Sequence, residues 1–163
     1  MIFLRCTTGD AFVALFATRR AGSRFELRSV IADFANGRPA GAFMVEPIFH
    51  SDDVNTTRGT PTLYTHISEG SGKCLYIHSC ANCATKLYVT FERFPNTCGI
   101  YSGTFDDPAW FPIGASTRHI FIGGARPYTI LPAGIALFHE HAVANDGTEQ
   151  HPLFLDSPRE GPV

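Results

Sequence analysis

A mainly β fold is what this sequence predicts, on three observations. The dominant hydrophobic period is two, Gly and Pro recur as punctuation between short runs, and the chain is rich in aromatics, with 14 Phe, 5 Tyr and 1 Trp in 163 residues. Charged residues make up 17%, below the roughly 25% usual in soluble domains, which favours an aromatic-packed interior over long charged helices. The length suits one domain that buries about two thirds of its unfolded surface.

The elements follow in order. Ala11 to Thr18 and Phe25 to Ala32 are short apolar or alternating runs joined by the turn-like 19–23, and they predict a first hairpin. Residues 33–60 carry Asn36-Gly37, Pro39, Gly41, Pro47 and Gly59, so an irregular insertion is expected there, with one short strand around Phe43 to Val45. Thr62 to Ile67 and Lys73 to Ser79 are β-rich runs linked by the small turn-formers of 68–72, a second hairpin that leads the chain into Cys80 and Cys83. Lys86 to Glu92 and Thr97 to Thr104 predict two further strands around the turn 93–96. Asp106, Asp107 and Pro108 predict a turn, Arg118 to Ile122 a strand closed by Gly123-Gly124, and Ile135 to Phe138 a short strand. The domain is expected over 1–140. The polar, Pro-containing residues 141–163 are expected as a tail.

Charge and hydropathy exclude several functions. A net charge of -2 and a pI near 6.4 supply no basic stripe for phosphates, so neither nucleic acid nor an anionic membrane is an expected partner. No run approaches the roughly 18 apolar residues of a membrane span, and the opening residues Met1 to Cys6 hold too short an apolar run for a secretory signal. Five cysteines is an odd count that fits a reducing, cytoplasmic compartment better than a disulfide framework.

In such a compartment Cys80-x-x-Cys83 reads as a metal-binding or redox pair, because two thiolates three positions apart can hold one ion from a single turn. It is incomplete, since a closed structural zinc site wants four ligands and a catalytic one three plus an open position, and the plainer reading is a pair of reduced or oxidised cysteines. Strand alternation puts His78 on the same side as Cys80 and makes it a candidate third ligand, against the plainer role of a strand histidine bonded to a neighbour. Cys6 is a further candidate, unconstrained by local spacing. Cys74 lies about 20 Å from Cys80 along a straight strand and cannot share the ion, and Cys98 reads as a small core residue. Asp106 and Asp107, being adjacent, suit turn capping better than paired acid–base work. His119 reads as structural, and His139-Glu140-His141 as a solvated segment.

The order of motifs resembles the glutathione-dependent formaldehyde-activating enzyme and centromere protein V family. The matching residues are Tyr64-Thr65-His66, His78-x-Cys80-x-x-Cys83, Leu87-Tyr88, the run from Gly103 to Pro108, His119-Ile120-Phe121, Arg126-Pro127-Tyr128 and Leu131-Pro132, with Thr8-Gly9-Asp10-Ala11-Phe12 as a weaker match near the start. The resemblance implies an Mss4-like, tent-shaped β domain of antiparallel hairpins. It also implies zinc as cofactor, a carbon–sulfur lyase activity of the S-(hydroxymethyl)glutathione synthase kind, and glutathione or another small thiol adduct as partner.

Departures from the family pattern are as informative. Aligned on Thr8-Gly9, the last cysteine of the family's catalytic cluster falls at Leu4, Cys6 is two positions out of register, and of the family's cysteine ligands only Cys80 and Cys83 remain. The family's Gly after the second Cys is Ala84 here, at a position where a metal knuckle often needs φ > 0 and Ala costs about 1 kcal/mol or more. The expectation is a divergent member with its catalytic zinc site lost or truncated. The alternative is a non-catalytic binding or structural module that keeps the fold only.

Overall fold

The computed structural model describes residues 2–5, 14–17, 26–30, 43–107 and 117–161, and among them the protein is mainly β. Among the described residues thirteen strands, β1 to β13 in chain order, are separated by turns and short 3-10 segments. The chain divides into two compact units, Met1–Glu26 with Pro47–Pro112 and Leu27–Glu46 with Ile113–Val163.

The first unit contains two antiparallel arrays. In one, β2 (Ala14–Ala17) pairs with β1 (Ile2–Arg5) on one side and β5 (Val54–Arg58) on the other. In the second, the neighbours run β4 (Met44–His50), β9 (Thr97–Ile100), β8 (Lys86–Phe91), β7 (Cys74–Ser79) and β6 (Thr62–Ile67). Period-two patterning decides its faces. Ile48, Gly99, Val89 and Ile77 lie in one cross-strand row, and the three large side chains among them are buried. The 68–72 link closes the β6–β7 hairpin through Ser68 N–H to Lys73 O (2.9 Å) and Gly72 N–H to Ser68 O (2.7 Å). Gly72 has φ 67, a conformation that favours glycine.

Two expectations in this unit are corrected. Residues 43–60 are not irregular: they form β4 and β5 around a 3-10 turn at Ser51–Asp53. Pro47, read as a breaker, is fully buried inside β4, and the pairing of β4 with β9 begins at Ile48, immediately after the residue that lacks a donor. Nor do the runs near 11–18 and 25–32 form a hairpin with each other. Their described parts are β2, which pairs with β1 and β5, and β3 (Glu26–Val30), which pairs elsewhere. Residues 33–42 lie outside the described residues.

The second unit joins β3 and β12 (Ala136–Leu137) in parallel to opposite sides of β10 (Arg118–Ile120). A further antiparallel pair joins β11 (Ile130–Leu131) to β13 (Arg159–Glu160). Its core gathers Ile122, Ala125, Leu131 and Leu137, with Leu155 packed against them. Leu155 belongs to the segment expected as a tail. That segment is tied into the unit by paired backbone bonds between Leu137 and Leu153 (2.9 and 2.8 Å) and by Gly161 N–H to Thr129 O (2.7 Å). A mostly polar stretch docks because one leucine and its backbone groups find partners.

Candidate metal centre

The Cys turn is built from β7 and β8. At the far end of β7, Glu92 clasps the strand: its Oε1 meets Lys73 Nζ at 2.9 Å and its Oε2 accepts from Cys74 N–H at 2.9 Å. The Cys74 backbone N–H first and then the Lys73 ammonium hold the Glu92 carboxyl down to about 2. At the near end the chain leaves β7 at Ser79 and turns through Cys80–Thr85 into β8. Cys80 N–H donates to Thr85 O (2.8 Å) and Ala84 N–H to Cys80 O (2.9 Å), which closes the loop through its backbone.

Ala84 has φ 58, in the left-handed region. The turn therefore forms with a Cβ at the position where the family has glycine, and the backbone strain foreseen in the sequence is present. Cys80 is 2% exposed, whereas Cys83 is exposed with its Sγ 3.0 Å from Thr85 Oγ1. Neither is in a disulfide.

His78 is committed elsewhere. Its ring stacks on Tyr88, its cross-strand partner, at 4.1 Å between centroids and 9° between planes, and Nε2 lies 3.4 Å from Thr90 Oγ1. Thr90 is further along β8 from the Cys turn than Tyr88, so this nitrogen is directed away from the thiols. Burial holds the imidazole pKa below its ordinary value and favours the neutral ring. β7 ends at Ser79, before Cys80, and its pairing with β8 shifts register between His78 and Ser79, while the His78 ring is placed by Tyr88 and Thr90.

The remaining donors are dispersed. Cys74 pairs with Ile67 at the opposite end of the hairpin from Ser79, and Cys98 is buried in β9 opposite Phe49 and Thr90. Cys6 lies outside the described residues. In the second unit His119 is part-buried in β10, its pKa lowered by burial, while His141 Nδ1 accepts from Val143 N–H at 3.0 Å and its ring sits 6.0 Å from Phe121. Among the described residues no group of three or more His, Cys, Asp or Glu side chains is arranged to hold a metal ion. The donor set there is two thiols, half of what a closed tetrahedral zinc site needs and one short of the usual catalytic set. The described residues do not fit a complete zinc centre.

Comparison with protein families matches residues 36–123, more than half of the chain, to the glutathione-dependent formaldehyde-activating enzyme family. The chain belongs to this family. The matched span includes the Cys80/Cys83 turn and His119-Ile120-Phe121 and stops short of Arg126-Pro127-Tyr128. No curated protein matches the chain. Solved structures similar to it include a crystal structure of a Rhodobacter sphaeroides protein, with 16% sequence identity, a TM-score of 0.47, and coverage of 64% of this chain and 87% of that one. No helix among the described residues is long and apolar enough to cross a membrane.

Proposed function

We propose that this chain is a divergent member of its family, a scaffold related to enzymes that act on thiol–aldehyde adducts of glutathione, in which the catalytic zinc site is not made by the residues of this sequence. The supporting observation is where the thiols sit. Of the five cysteines, two share the turn, one is at the far end of β7 and one is sealed in β9. Cys6 alone could join the pair. Three sulfur donors leave a structural site incomplete, and His78, stacked on Tyr88, is turned from the role.

Zinc with an open coordination position would supply a Lewis acid to the oxygen or sulfur borne by the reacting carbon of such an adduct, polarising that carbon. Two thiolates from one turn hold an ion far more weakly than a full ligand set, whose apparent binding free energy is about 10–16 kcal/mol. Cys80 and Cys83 would thus contribute to partial, exchangeable metal loading.

The test is elemental analysis of zinc-treated wild type beside Cys80→Ser/Cys83→Ser, with NMR measurement of S-(hydroxymethyl)glutathione formation from glutathione and formaldehyde. Expected are less than one zinc per chain and no acceleration over the uncatalysed reaction. A full equivalent of zinc lost in the double variant, together with turnover, would refute the proposal.

A further inference from the structure

We infer that Cys83 and Cys80 act as a dithiol in exchange with low-molecular-weight disulfides, Cys83 as the attacking thiol and Cys80 as the resolving one. This goes beyond the family reading and uses chemistry that needs no metal.

Asymmetry between the two thiols carries the assignment. Attack on a dissolved disulfide requires an accessible sulfur, and Cys83 is exposed while Cys80 is 2% exposed. Resolution requires only that the second sulfur reach the first. The turn is closed by Cys80 N–H to Thr85 O and by Ala84 N–H to Cys80 O, so the chain reverses within the short segment that holds both cysteines. A disulfide spans about 4.4–6.8 Å between Cα atoms, a separation that two residues three apart in one tight turn can adopt. Thr85 Oγ1, 3.0 Å from Cys83 Sγ, can donate its hydroxyl hydrogen to the attacking thiolate. The other described cysteines lack this arrangement. Cys98 is buried, and Cys74 has no second thiol near it on the β6–β7 hairpin.

With oxidised glutathione as the small disulfide, the Cys83 thiolate attacks one of its sulfurs. The glutathione S–S bond breaks, a Cys83–glutathione disulfide forms, and one glutathione thiolate leaves. The Cys80 thiolate then attacks Cys83 Sγ, the Cys80–Cys83 bond forms, and the second glutathione thiolate leaves. Two protein thiols are oxidised by two electrons, one disulfide is reduced to two thiols, and the two cysteine protons end on the leaving groups.

The experiment treats the full chain with oxidised glutathione and follows the peptide holding both cysteines by mass spectrometry after acid quenching. In wild type an early glutathione adduct on Cys83 should give way to a product lighter by two hydrogens, reversed by dithiothreitol. Cys80→Ser should stop at the adduct on Cys83. In Cys83→Ser, Cys80 should react roughly tenfold more slowly or less than Cys83 does, as a buried thiol would. The wild-type time course needs no substitution and stands even if a variant misfolds. An early adduct on Cys80, a lasting adduct on wild-type Cys83 with no internal disulfide, or no reaction of this peptide would each overturn the inference.

Discussion

Replacing Ala84 by glycine should stabilise the protein, although glycine normally weakens a fold. A non-glycine residue in the left-handed region costs about 1–2 kcal/mol, and Ala84 has φ 58. Glycine removes that cost but adds about 0.4–1 kcal/mol of unfolded-chain entropy. The balance is a gain on the order of 0.5–1 kcal/mol, or a rise in Tm of about 1–4 °C for a chain of this size. Ala81 is the internal control: it lies in the same turn, is exposed, and is not among the positive-φ residues. Ala81→Gly should therefore lose about 0.4–1 kcal/mol. Urea unfolding of wild type and both variants, compared at unchanged m, reads the two signs directly. Equal signs, or a loss of stability in Ala84→Gly, would show that the left-handed residue is not what strains this turn.

Glu92→Gln should weaken the protein at neutral pH by freeing Lys73 and the start of β7. Because the folded Glu92 pKa is depressed from 4.5 to about 2, its contribution is full above about 4.5 and disappears as pH falls to about 2. Urea midpoints of wild type and variant should converge across that window. His78 acts in the same direction for a different reason: burial disfavours its charged form and lowers its pKa from 6.5, so the unfolded chain gains the proton first and stability falls as pH drops below about 6.5. His78→Phe, able to keep the stack on Tyr88, should lose this acid-side decline, while His119 retains its own. Stability against pH, with ring titration by NMR, checks both. Leu137→Ala, at a fully buried site in the second unit's core, should cost about 2–5 kcal/mol in urea unfolding.

The hairpin of β6 and β7, the strand β8, and the turn between β7 and β8 were legible in the sequence because each depends on neighbours close along the chain, whereas the strand expected over Thr97 to Thr104 ends at Ile100 and gives way to a 3-10 turn at Ser102–Thr104. Alternation chose which side chains are buried, as at Leu87 and Val89, and small residues marked the links. The need for a left-handed residue at Ala84 was also legible, from the glycine that the family places there. Partners distant along the chain were not. β3 reads like the second arm of a local hairpin yet lies parallel to β10, about ninety positions later in the chain, since hydrogen-bonding capacity carries no address. Pro47 disguised β4 because its ring forbids a donor, and only the packing around it decides whether that missing donor matters.

For the candidate site, sequence determined the number and spacing of the sulfur donors, since covalent order places Cys80 and Cys83 at the two ends of a short turn. Tertiary structure decided how those donors differ: one thiol is buried while the other stays in reach of solvent. It likewise decided that His78 lies flat on Tyr88. The physical reason is that spacing limits which groups can meet, whereas side-chain torsions and burial, set by contacts from other strands, select among those meetings.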